Sequence, residues 1–169
     1  IFTLVLAFTL PWTGYAFTRY LGDAYQSGVI AGSFTLPLTQ RWDRELGQKI
    51  VSSPVTDGQR LYLGTDQNTV LAIDPSSSNV VWRATVSGKV GATPAVADGR
   101  VFVGDAAGSF YALNSSTGAQ VWKRVLPGSI SSSALVANGR VYVGVGYPAH
   151  QAVCLDANNG DILWSYTSM

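Results

Sequence analysis

Between residues 50 and 166 the chain alternates short, dense apolar runs with small polar clusters. The triplets "LYL", "VFV" and "VYV" (61–63, 101–103 and 141–143) are apolar at every position. A strand with one wet face alternates apolar and polar residues, whereas a strand covered on both faces need not. Around the second triplet stand "ATPAVA" (92–97), "SFYALN" (109–114) and "QVWKRV" (120–125), rich in the residues that pleated surfaces prefer. Turn signals separate them at Asp98-Gly99, at Ala107-Gly108 and at "STG" (116–118). Asp-Gly and Asn-Gly pairs favour tight hairpin turns because glycine takes positive φ at no steric cost. Connections this short make successive strands antiparallel. The pattern predicts four short strands per unit.

The unit recurs. Trp42, Trp82 and Trp122 stand at steps of 40, and Trp164 follows 42 residues later. Gly64, Gly104 and Gly144 keep the 40-residue step, as do Arg60, Arg100 and Arg140; Pro54 and Pro94 are followed by Ala134 in the same slot. Four-stranded antiparallel units of about 40 residues, each sandwiched between copies of itself, are blades of a β-propeller. The expected fold is all-β. It has three complete blades (50–85, 90–125 and 130–166), with Trp42 on an N-terminal outer strand that closes a ring of which only part is here. Each tryptophan falls on the outermost strand of its blade. Packed against the next blade it would bury about 200 Å², and truncation to alanine would cost about 3–5 kcal/mol. Gly118 and Gly160 would let the chain turn tightly beneath a ring. Asp74, Asn114 and Asp156 can accept from nearby backbone N–H groups in Asx-type turns.

The stretches "AIDPSSSNVVW", "ALNSSTGAQVW" and "CLDANNGDILW" share one frame: Ala72, Ala112 or Cys154 first, then Asp74, Asn114 or Asp156, then Trp82, Trp122 or Trp164. This frame resembles Ala-x-Asp-x-x-Thr-Gly-x-x-x-Trp, the tryptophan-docking motif of the propeller repeats named after pyrroloquinoline quinone (PQQ). The first copy lacks the Thr-Gly pair, the second has Asn114 for Asp and the third has Cys154 for Ala. The resemblance covers residues 39–166. WD40 repeats share the period but not the Trp-Asp ending, and kelch repeats run nearer 50 residues. A closed propeller has 4–8 blades. The expectation is therefore a fragment cut at both ends, holding under half of the ring, with the rest after Met169.

Composition narrows the function classes. Hydrophobic residues make up 47% and charged residues 12%, which argues against a disordered tail. The net charge is +1 with no basic stripe, so nothing points to nucleic acid. A single cysteine, Cys154, excludes an intrachain disulfide and a multi-cysteine metal site, and in the slot of a motif alanine it is a small core residue. The opening "IFTLVLAFTL", then Pro11 and the small residues Gly14 and Ala16, have the layout of a secretory-signal remnant over 1–16. A membrane anchor and a buried strand are the rivals; a span needs about 20 apolar residues, and Pro11, Gly14 and Arg19 interrupt this one. Residues 17–41 then form a lead-in and 42–169 the partial propeller. The expected location is extracytoplasmic, periplasmic or secreted.

Positions that break the repeat are the better candidates for function, since repeated ones serve the joints. The clearest break is "VGYPAHQ" (145–151), two residues longer than its counterparts, with Tyr147 and the only histidine, His150. Asp66 and Asp105 fall in loops on the same face, as cation ligands or as solvated turn carboxylates. Ser53, Thr93 and Ser133 are read as backbone-bonding hydroxyls, and Arg60, Arg100 and Arg140 as solvated turn cations. No catalytic, cofactor-binding or metal-binding residue is assigned. The resemblance implies, first, a non-enzymatic scaffold that binds a protein partner, with no membrane span in the propeller. Its alternatives are part of a quinoprotein alcohol or sugar dehydrogenase, with PQQ and Ca²⁺, and a sensor ectodomain. The family's dehydrogenases use specific Glu, Asn and Asp residues and many use a Cys-Cys pair, none of which can be placed on this chain.

Overall fold

A computed structural model of the chain describes residues 6–7 and 40–168. The signal and lead-in readings for 1–41 lie outside these residues, apart from Leu6–Ala7, which form β1, and Gln40 and Arg41 at the start of β2. Strand β2 (Gln40–Trp42) pairs antiparallel with β1. No helix occurs among the described residues, so none is long and apolar enough to cross a membrane.

Three four-stranded antiparallel sheets follow, each a meander in sequence order. Blade I holds β3 (Val55–Thr56), β4 (Leu61–Gly64), β5 (Thr69–Ile73) and β6 (Val80–Thr85). Blade II holds β7 (Ala95–Ala97), β8 (Arg100–Gly104), β9 (Ser109–Asn114) and β10 (Gln120–Val125). Blade III holds β11 (Leu135–Ala137), β12 (Arg140–Val145), β13 (Gln151–Asp156) and β14 (Ile162–Thr167). The turns at Asp98-Gly99 and Asn138-Gly139 put both central residues at positive φ, the twist that right-handed hairpins require.

The core lies between the blades. Tyr62, Val70, Ala72 and Trp82 of blade I pack with Val96, Val101, Val103, Tyr111 and Leu113 of blade II. Phe102, Phe110, Ala112 and Trp122 of blade II pack with Val141, Val143, Val153 and Leu155 of blade III. On β8, Val101 and Val103 therefore face blade I while Phe102 faces blade III. Both faces of the strand are dry, which is why the run "VFV" has no polar position.

A second seam lies at the ends of the inner strands. A Cβ on Gly64 would fall 2.3 Å from Val90 Cγ1, and one on Gly104 would fall 2.2 Å from Ile130 Cγ2. The chain entering each new blade is thus seated on the glycine of the blade before, and its N–H groups bond there, Val90 to Thr65 O (3.0 Å) and Ile130 to Asp105 O (3.0 Å).

Candidate functional site: the blade joints and the 145–151 loop

The repeated residues build one joint. On each outer strand the register slips by one residue before the tryptophan, at Val81, Val121 and Leu163. Such a bulge re-aims the following side chain. Directly across the ladder stand Ala72, Ala112 and Cys154, small enough to leave room for an indole. The Trp82 N–H donates to Ser115 O of blade II (2.8 Å) and the Trp122 N–H to Ala157 O of blade III (3.0 Å). Each indole lies on a glycine of the next blade. A Cβ on Gly118 would meet Trp82 Cε3 at 2.6 Å, and one on Gly160 would meet Trp122 Cε3 at 2.6 Å. Trp42 makes the same bond one step upstream, its N–H donating to Pro75 O of blade I (2.7 Å). A ring also backs each indole from its own blade: Tyr62 behind Trp82, Phe102 behind Trp122 and Tyr142 behind Trp164, with centroids 5.9–6.1 Å apart.

The turns that receive the indoles are held by their own side chains. Asp74 Oδ1 accepts from Ser76 N–H (2.7 Å) and Ser77 N–H (3.1 Å). Asn114 Oδ1 accepts from Ser116 N–H (2.9 Å) and Thr117 N–H (3.0 Å), and Asp156 Oδ1 from Asn158 N–H (2.7 Å). The N–H groups of Ser77 and Ser76 hold the Asp74 carboxyl below the ordinary carboxylate range. Where Gly118 and Gly160 have φ of 73° and 74°, the first turn has Ser78 at φ 61°.

Several expectations change. Trp164 is 46% exposed, against 8% for Trp82 and Trp122, because no turn lies beyond β14 among the described residues to receive it. Asp105 is neither a surface residue nor a solvated turn carboxylate: it is 0% exposed. Its Oδ1 accepts from Ala107 N–H (3.0 Å) and Ser109 N–H (2.9 Å), and its Oδ2 from Gly88 N–H (2.9 Å), with the Tyr111 hydroxyl 3.3 Å away. Three backbone donors thus hold that buried carboxylate to the loops around it. Asp66 is half-buried, and its Oδ1 accepts from Lys49 N–H (3.1 Å). Arg100 is not a solvated turn cation; its Nη1 donates to Ala157 O (3.1 Å) and Asn158 Oδ1 (3.0 Å) of blade III. The backbone-bonding hydroxyls at strand entry include Ser52, which accepts from Gly64 N–H (2.7 Å), and Ser132, which accepts from Gly144 N–H (2.9 Å). Both stand one residue before the expected Ser53 and Ser133. Cys154 is buried, and burial pushes its thiol pKa up.

The loop after β12 is pinned against the chain entering blade III. Gly146 N–H donates to Ser129 O (2.7 Å) and Ser129 N–H to Tyr147 O (3.1 Å). The same loop closes on itself, with Ala149 and His150 N–H both donating to Gly146 O (3.0 Å each). Tyr147 is 77% exposed, and its ring meets that of His150 edge-on at 6.1 Å. The structure brings these two together, and neither hydrogen-bonds to Asp66 or Asp105. Among the described residues no three His, Cys, Asp or Glu side chains form a group able to hold a metal ion.

Residues 37–168 match the family model PQQ_2, described as outer membrane protein assembly factor BamB. The chain belongs to this PQQ-repeat family. Solved structures agree on the fold. BamB from Moraxella catarrhalis is similar with a TM-score of 0.68 at 19% identity, over 76% of this chain and 40% of that one. A quinohemoprotein alcohol dehydrogenase from Comamonas testosteroni has a TM-score of 0.77 at 20% identity, over 92% of this chain and 27% of that one. A europium-containing methanol dehydrogenase has a TM-score of 0.63 at 22% identity. The chain thus spans well under half the length of these PQQ-repeat structures. Among curated proteins none matches it.

Proposed function

We propose that this PQQ-repeat chain is part of an extracytoplasmic, non-catalytic propeller that binds a protein partner. The observation that carries this reading is Tyr147. A large aromatic is held 77% exposed on a loop fixed by backbone hydrogen bonds, at the position where the repeat is lengthened. Rigid exposed aromatics are the side chains that anchor protein interfaces, because they bring contact area at little entropic cost. Membership of a family described by an outer membrane protein assembly factor supports the same reading. The repeated polar groups support it too, since the turn carboxylates and amides and Arg100 serve the blades themselves.

The test places a photo-crosslinking amino acid at residue 147, with Gln120 on an outer strand as control. In envelope preparations the reading expects one discrete protein to be crosslinked from 147 and not from 120. Equal crosslinking from both sites, or none from either, would count against it. The quinoprotein reading has a likeness of fold behind it. Saturable binding of PQQ in the presence of Ca²⁺ would revive it.

A further inference from the structure

The three indole joints share the same N–H bond to the receiving turn, and the joints of Trp82 and Trp122 also share the glycine beneath the ring, so the indole contact does little to tell one blade from another. A second pair of positions differs at every joint. It consists of the residue two past the tryptophan and the residue that follows the positive-φ residue of the receiving turn. At the entry to blade I this pair is Arg44 and Asn79, with Nη1 donating to Oδ1 (3.3 Å). Between blades I and II it is Ala84 and Ala119. Between blades II and III it is Arg124 and Asp161, with Nη2 donating to Oδ1 (2.6 Å) and Nε to Gly160 O (2.7 Å). Asp161 is itself oriented, its Oδ2 accepting from Asn159 Nδ2 (2.8 Å).

Cation meets oxygen acceptor at the first joint, small apolar residues fill both slots at the second, and cation meets carboxylate at the third: the two sides change together. We propose that this pair is the neighbour-selecting element of the joint, matching each outer strand to the turn of the blade that must follow it. An arginine set against Ala119 would lose its acceptor, and Asp161 set against Ala84 would lose its donor. In a chain of near-identical blades the device disfavours docking out of order, as unpaired or like charges disfavour a wrong partner.

The test is a pair of thermal-melting cycles on the full chain. Arg124, Asp161 and Ala119 are partly or fully exposed, and Ala84 is partly buried at the edge of the core between blades I and II, so each single variant is measured beside its double. In the first cycle R124E sets two acids face to face. It is expected to lower Tm by about 2–4 °C, the size of an exposed charge effect in a chain of this length. Adding D161K is expected to return at least half of the loss, and 1 M NaCl to shrink the difference. In the second cycle A84R and A119D move the pair to a joint that lacks it. The double variant is expected to melt higher than the sum of the two single shifts allows. Additive shifts in either cycle, or a rescue that salt leaves unchanged, would overturn the proposal.

Discussion

Two glycines with nearly the same backbone conformation separate what the joint contributes from what a turn contributes. Gly99, in the β7–β8 hairpin, has φ 70° and nothing within 4 Å of the place a Cβ would take. Gly118 has φ 73°, and there a Cβ would stand 2.6 Å from Trp82 Cε3 and 2.7 Å from Cδ2. Alanine at Gly99 carries only the left-handed conformational penalty, about 1–2 kcal/mol. Alanine at Gly118 carries that penalty and must also push the indole back by about 1 Å to reach ordinary carbon–carbon contact. That shift moves the Trp82 N–H off its 2.8 Å bond with Ser115 O and weakens or breaks it. A buried donor left without a partner costs about 1–3 kcal/mol. The expected destabilisation is therefore about 2–5 kcal/mol for Gly118→Ala against about 1–2 kcal/mol for Gly99→Ala. Urea unfolding of both variants, followed by far-ultraviolet circular dichroism, measures the difference. Equal losses, within about 0.5 kcal/mol, would refute the claim that the indole rests on Gly118.

Other outcomes follow from the same geometry. Ser78 holds the glycine slot of the first turn at φ 61°, so Ser78→Gly should stabilise the chain by about 1 kcal/mol in the same assay. Asp105→Asn keeps one oxygen for the N–H groups of Ala107 and Ser109 but sets an amide NH₂ against the Gly88 N–H, and should cost about 1–3 kcal/mol by urea unfolding. Tyr62 has its pKa raised from 10.0 to about 12, first by burial and then by the hydrogen bond to Asp57 and its charge. The unfolded state therefore releases this proton first. The stability that Tyr62 contributes is whole below pH 10 and is lost as pH rises toward 12, on the order of 2–3 kcal/mol. Tyr62→Phe should remove that alkaline loss from the stability–pH profile.

The fold was legible because its signals are local or periodic. Trp82 and Trp122, the uninterrupted apolar triplets and the Asp-Gly and Asn-Gly turns each report on their own neighbourhood, and the 40-residue step repeats the message. The glycines at 64 and 104 were visible as a period, yet their partners Val90 and Ile130 belong to the next blade. The candidate site was harder to read because its contacts are long-range. Asp105 looked like Asp66, one more carboxylate in a loop. It occupies the slot of Thr65 in blade I, and its burial depends on the N–H of Gly88, 17 residues away. Nothing near Arg100 announces that its guanidinium reaches Ala157, 57 residues on. Trp164 reads in sequence like its two predecessors; its exposure depends on what stands beyond β14, which no feature of its own strand encodes.

The account rests on indoles that lock one blade to the next. Limited oxidation of the full chain with a tryptophan-selective reagent, followed by peptide mass spectrometry, reads each indole separately. Trp164, nearly half exposed, should react first, while Trp82 and Trp122, covered by the turns at Ser115–Gly118 and Ala157–Gly160, should remain largely unmodified. If Trp82 and Trp122 were oxidised as fast as Trp164, the blades would not be docked in this way.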